Sequence, residues 1–174
     1  MKSRAESVRS LMSHARQRPH ASKLRLRTTP ERSAIMRSVR QAGTAPELSV
    51  RRLLSSLGVR FRLNVRGLPG SPDLVNLRKR FAIFVHGCFW HRHAGCRRTT
   101  TPTRNRVFWL EKFVANKARD RRNLEALQRM GFTVCTIWEC EALDPGKLVA
   151  RLTKSLPGLT RRMAVQQRHV DMVR

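Results

Sequence analysis

The stretch His86-Gly87-Cys88-Phe89-Trp90-His91-Arg92-His93-Ala94-Gly95-Cys96 packs three of the six histidines and two of the four cysteines into eleven residues. Imidazole and thiolate are the side chains that hold a tetrahedral zinc best. Cys88, His93 and Cys96 are close enough in sequence to wrap one ion from a single loop. A fourth ligand has to come from elsewhere. Cys140, in Trp138-Glu139-Cys140 at the end of an apolar run, is the candidate, because it alone has a loop-like setting after a strand. Cys135 lies inside that run and reads as a buried core thiol. Spacing leaves the choice of histidine open, since His86 and His91 are also within reach. A site of three cysteines and one histidine is closed, so its metal is expected to hold the fold and do no chemistry.

Composition points to the partner. The chain carries 37 Lys and Arg against 11 Asp and Glu over 174 residues, a formal charge of +26. Such a surface condenses on a polyanion with strong salt dependence. Arginine supplies 30 of the 37 cations, and its planar fork binds phosphate bidentately and stacks on bases, which favours nucleic acid over a membrane surface. No apolar run approaches the roughly 20 residues that span a bilayer. Four cysteines that mostly serve a metal, with no secretory pattern at the N-terminus, point to a reducing cytoplasm. The length fits one domain with flexible ends, and the chain is expected to work as a monomer.

Residues 1–28 hold one acid, Glu6, and eight Lys or Arg, and are expected to form a disordered basic arm. Order is expected from residue 29 to residue 156, beginning at Thr29-Pro30-Glu31, where Thr29 caps and Pro30 fits the first turn of a short helix. Thr44-Ala45-Pro46-Glu47 has capping-box spacing and opens a second helix through Val50, Leu53, Leu54 and Leu57, which Gly58 ends. A strand follows around Arg60 to Val65, then a turn through Gly67-Leu68-Pro69-Gly70-Ser71-Pro72. Two short strands come next, Asp73 to Leu77 and Phe81 to Val85, completing a meander. Beyond the metal loop, a long helix from about Arg106 to Met130 is expected to bury Phe108, Phe113, Leu124 and Leu127, with Gly131 as its stop. Phe132 to Trp138 reads as a central strand buried on both faces. Asp144-Pro145 starts a last helix through Leu148, Val149 and Leu152, and residues 157–174 read as a basic tail. The order ααβββαβα makes an α/β fold, a mixed sheet flanked by helices.

Chemistry enters at Pro72-Asp73. The carboxylate opens one strand of the meander, the next strand runs straight into His86 and His91, and Glu47 waits on the preceding helix. That arrangement can chelate Mg²⁺ against a phosphodiester. A hydrolytic nuclease needs a hard cation on the scissile phosphate, a base for the attacking water, and positive charge around the transition state.

Five collinear blocks between Thr29 and Leu152 resemble the very-short-patch repair endonucleases (Vsr), which nick DNA beside T:G mismatches. The blocks are Leu68-Pro69-Gly70-Ser71-Pro72-Asp73, Phe84-Val85-His86-Gly87-Cys88-Phe89-Trp90-His91, Phe108-Trp109-Leu110-Glu111-Lys112, Arg119-Asp120-Arg121-Arg122-Asn123 and Ile137-Trp138-Glu139-Cys140. The resemblance implies a restriction-endonuclease-like fold of the PD-(D/E)xK superfamily. It also implies Asp73 as ligand of a catalytic Mg²⁺, His91 as general base, and His86 and Glu47 as supporting groups. It places a structural Zn²⁺ on Cys88, His93, Cys96 and Cys140. The second acid and the lysine of the superfamily motif are missing, since the strand reads Phe84-Val85-His86. In the family it resembles, histidine replaces the lysine and the backbone carbonyl at the position of Val85 helps bind magnesium, so any side chain serves there.

Phe89 and Trp90 are large apolar groups between the metal ligands, and with Trp109 are read as wedges that stack into the duplex and pry apart base pairs at the lesion. Unstacking costs a few kcal/mol per step and least at a mismatch, which makes a wedge a mismatch sensor. Met36 and Val39 match the family's minor-groove wedge positions. Lys112 and Asn116, at i and i+4 on one helical face, are candidates for contacts to phosphate or base edges. The expected substrate is double-stranded DNA with a T:G mismatch left by deamination of 5-methylcytosine, with mismatch-repair proteins as further partners. Two other readings compete: a non-catalytic zinc module for distorted DNA, and a restriction-type nuclease with another target. Asp73 argues against the first, because a binding module has no use for a carboxylate facing phosphate.

Overall fold

In the computed structural model, residues 29–38 and 42–156 are described, and the expected N-terminal arm, the C-terminal tail and Val39 lie outside them. The elements run α1 (Pro30–Ser38), α2 (Ala45–Ser56), β1 (Arg62–Leu63), β2 (Leu74–Asn76), β3 (Phe81–His86), α3 (Cys88–His91), α4 (Arg106–Arg129), β4 (Thr133–Trp138), α5 (Glu139–Ala142) and α6 (Pro145–Ser155). The sheet order is β1-β2-β3-β4. The first three strands form the antiparallel meander, and β4 pairs parallel to β3 with Ile83 opposite Cys135 and Val85 opposite Ile137. A parallel pair needs a crossover, which α4 supplies.

Period-two alternation along β2 and β3 divides the core between the two faces of the sheet. Leu74 and Ile83 join Val50, Leu54, Cys135, Ile137, Leu148 and Leu152 on the side covered by α2 and α6. Val75, Ala82 and Phe84 join Leu127 and Phe132 on the side covered by α4. The result is the mixed α/β sandwich expected from the element order. Cys135 is buried as a core thiol. No described helix is long and apolar enough to cross a membrane.

Several expectations need correction. The apolar run before Trp138 is an edge strand among the described residues, not a central one, because it pairs only with β3. Its Cys135 and Ile137 are buried while Val134, Thr136 and Trp138 are half-buried. A strand covered by helices on its faces reads as apolar whether or not a neighbour occupies its second edge. Strand β1 is only two residues long, with both side chains exposed. On α4, Phe113 and Leu127 are buried, but Phe108 and Leu124 are half-buried, since both line a cleft. The capping box at α2 takes another form: Glu47 accepts from the Gly43 N–H and the Thr44 hydroxyl, both at 2.9 Å, so the two side chains bond to each other. Cys140 sits in the one-turn helix α5 rather than in a loop.

Candidate active site and metal centre

The open ends of β2 and β3, the N-terminal half of α4 and the one-turn helix α3 surround a cleft of about 1680 Å³. Small-molecule pockets span about 300–1,000 Å³, so this space suits a polymer. Arg37, Arg66, Arg104, Lys112, Lys117, Arg119 and Arg121 line it, together with Asp73, Glu47, His86, His91 and Asp120.

Asp73 stands just before β2, where the antiparallel pairing with β3 aims its carboxylate at the far end of the neighbouring strand. Its Oδ2 accepts from the Val85 N–H at 2.7 Å. Burial raises this carboxyl from 3.8 to about 6; the Val85 N–H opposes the rise and the nearby Glu47 charge adds to it. An ionised Asp73 therefore opposes folding. Its cost is absent below about pH 4, develops as pH rises, and is complete above about 6. Asp73→Asn should raise the metal-free melting temperature at about pH 8 by a gain on the order of 1–2 kcal/mol, after allowing for partial solvent access. The gain should fade on acidification to about pH 4. A variant no more stable than the parent at the higher pH would mean that the carboxylate is already compensated.

Glu47 is the buried acid of the cleft, 4% exposed. Besides Gly43 and Thr44 it accepts from Arg51 at 2.9 Å. Those contacts fix its carboxylate and leave it within electrostatic reach of Asp73.

His86, the last residue of β3, and His91, the last of α3, lie face to face, ring centroids 3.8 Å apart and planes 10° from parallel. Burial, reinforced by the neighbouring His91, pushes His86 from 6.5 down to about 3, so it is neutral throughout the physiological range. His91 meets a group that sequence reasoning did not single out. Its Nδ1 lies 2.5 Å from Asp120 Oδ2. Burial pushes the Asp120 carboxyl up, but the His91 bond and the surrounding cationic groups outweigh it and hold the carboxyl below the usual range. A signal for Asp120 existed: it is the lone acid among Arg119, Arg121 and Arg122, and helical spacing puts it on the face of Phe113 and Asn116.

The spacing argument left the histidine of the cysteine cluster open, and the fold separates the two sets. Donor atoms of Cys88, His93, Cys96 and Cys140 all lie within 4.8 Å of one another, while His86 and His91 gather with Asp120 instead. His93 Nδ1 is 3.7 Å from Cys88 Sγ and 3.3 Å from Cys140 Sγ. Burial pushes the Cys88 thiol up to about 12, a setting in which thiolates require a cation. Three sulfurs and one imidazole nitrogen are the donor set of a closed tetrahedral zinc site, so these residues could hold one. Around the cluster, Trp138 stacks on His93 with centroids 4.3 Å apart, and Glu139 accepts from the Cys88 N–H at 3.2 Å.

The aromatic residues form one packed group. Phe89 has Trp90, Trp109 and Phe113 around it with centroids 5.1–5.4 Å away. Trp90 and Trp109 line the cleft, as do Phe108, Lys112, Asn116 and Met36, which is 39% exposed. The Lys112 ammonium lies 5.7 Å from the Phe108 ring centre. Asn116 Nδ2 donates to the Trp90 carbonyl at 3.0 Å.

Comparison with known proteins gives the family. Residues 25–98 match the family model described as DNA mismatch endonuclease Vsr. A type II nicking enzyme, V.XorIIP of Xanthomonas oryzae, is 47% identical over 131 residues, which cover 75% of this chain and 96% of the relative. The chain belongs to the Vsr endonuclease family. Two further Vsr-like relatives are each 40% identical. V.NmeAIP of Neisseria meningitidis aligns over 127 residues, 73% of this chain and 90% of its own. The DNA mismatch endonuclease Vsr of Escherichia coli aligns over 132 residues, 73% of this chain and 84% of its own. Membership of the Vsr family makes the protein a nuclease that acts on DNA, and a nuclease of this kind works with a divalent metal.

Proposed function

We propose that this protein nicks one strand of duplex DNA beside a T:G mismatch and so initiates repair of deaminated 5-methylcytosine. The observation that carries the chemistry is the His91–Asp120 contact at 2.5 Å beside Asp73 in a basic cleft. With Nδ1 committed to the carboxylate, His91 presents Nε2 as the free lone pair that takes the proton of the attacking water. Asp120 fixes the ring and stabilises the imidazolium that forms. The stacked His86, being neutral, imposes no charge repulsion on that protonation.

The donor chemistry of Asp73 suits a hard cation, with the Val85 carbonyl as a partner that needs no particular side chain. When bound, Mg²⁺ would polarise the scissile phosphate and neutralise developing charge. Glu47 supports that end of the site. Zn²⁺ at Cys88, His93, Cys96 and Cys140 has a structural role, since four protein ligands leave no open position.

Recognition is assigned to the aromatic group. Trp90 and Trp109 enter the base stack from the cleft wall with Phe89 behind them, Met36 and Val39 are assigned to the minor groove, and Lys112 contacts phosphate or base edges. Trp90→Ala should reduce discrimination between T:G and matched duplexes far more than it weakens binding to matched DNA, where attraction comes from Lys and Arg. Unchanged mismatch preference would leave Trp90 with a packing role only. The reading as a whole is tested by incubating purified protein and Mg²⁺ with an end-labelled T:G duplex and its matched control. A single-strand nick confined to the mismatched duplex is expected; equal cleavage of both would overturn the proposed specificity.

A further inference from the structure

Helix α4 makes side-chain contacts along one face that are spaced at helical intervals. Trp109 and Phe113 pack on Phe89. One turn on, Asn116 Nδ2 donates to the Trp90 carbonyl at 3.0 Å. One turn further, Asp120 Oδ2 meets His91 Nδ1 at 2.5 Å. Trp90 and His91 are consecutive residues of the four-residue helix α3. A unit that short has few internal hydrogen bonds to hold its orientation, so the polar contacts that Asn116 and Asp120 of α4 make with it, beside the packing of Phe89 and Trp90, fix where the Trp90 and His91 side chains point. The same helix end is further secured by Arg92, which donates to the Thr100 carbonyl at 2.8 Å and lies over the Phe113 ring of α4 at 4.6 Å.

We propose that Asn116 is a positioning residue: by holding the Trp90 carbonyl it makes the placement of the Trp90 ring set the placement of the His91 imidazole. What the aromatic wedge meets in the duplex is thereby passed to the general base one residue away. This rests on the proposed function above, and adds that mismatch preference is expressed in the rate of the chemical step as well as in binding. The bond to the Trp90 carbonyl is made within the protein, so this role is separate from any contact that the remaining N–H and Oδ1 of the amide make with DNA.

The test is single-turnover nicking of a T:G duplex at saturating Mg²⁺, with dissociation constants measured separately in Ca²⁺ by fluorescence anisotropy, for Asn116→Ala and the near-isosteric Asn116→Asp, which lacks the donor. Both variants should lose on the order of tenfold or more in rate at saturating protein, with dissociation constants within about twofold of the parent, since mispositioning a reacting group carries penalties of that size. Zinc content and melting temperature report that each variant is folded. In the His91→Ala background, Asn116→Ala should add nothing, because two residues acting through one group are not additive. A weakened dissociation constant with an unchanged saturated rate, or full additivity with His91→Ala, would overturn the inference in favour of direct DNA contact. Near-parental rate in His91→Ala alone would instead overturn the assignment of the base.

Discussion

Replacing His91 by Ala is expected to lower the saturated nicking rate by a factor on the order of 10² to 10⁴, the usual share of a general base. The expectation follows from geometry: among the described residues His91 is the imidazole held by a carboxylate in the cleft, with its Nδ1 turned to Asp120. Asp120→Asn keeps the shape but removes the charge that stabilises the protonated ring, and its amide can donate to Nδ1, which favours the wrong tautomer for a base at Nε2. A loss approaching that of His91→Ala is expected, and the double variant should be little worse than either single one, because the pair acts as a unit. DNA affinity should hold in all three. The measurement is a single-turnover time course beside a binding isotherm. If Asp120→Asn retained the parental rate, the 2.5 Å contact would be structural and the orientation of His91 would have to come from its stacking on His86.

The second large effect concerns the fold. Cys140→Ser should reduce bound zinc from about one per chain to a small fraction and abolish a cooperative melting transition. Structural zinc sites contribute about 10–16 kcal/mol in isolated fingers, comparable to or above the roughly 5–15 kcal/mol that separates a folded domain from its unfolded state. Here the consequence is amplified by position. Cys88 opens α3, the helix that carries Trp90 and His91, and Cys140 lies in α5 just beyond the edge strand β4. The metal would therefore join the two chain segments that flank the catalytic end of the sheet. Removing Mg²⁺ from the parent protein should stop cleavage and leave the melting transition in place. Metal analysis of the purified parent showing no zinc would refute the assignment of the cluster.

Much of this protein could be read from its residues alone. Cys88, His93, Cys96 and Cys140 announce a metal site because soft donors at short spacing have few other uses, and Asp73 at the start of a meander strand announces chemistry because the next strand runs into His86 and His91, and such a set of groups can hold a hard cation. The helices α2, α4 and α6 follow from apolar period and from Gly58, Gly131 and Asp144 at their ends, all local effects. Three matters depended on the tertiary structure. Which histidine joins the cysteines is decided by where β3 and α3 point their rings, since His86, His91 and His93 are equivalent in spacing but are sent to two different clusters. The edge position of β4 is a property of the whole sheet, and helices on its faces conceal it from local pattern. Asp120 acquires its role because α4 crosses over the sheet and sets that residue against His91, 29 positions earlier in the chain. Local pattern reports which groups are present and on which face of an element they stand; the pairing of a base with its carboxylate is a long-range contact, and only the packed chain brings the two together.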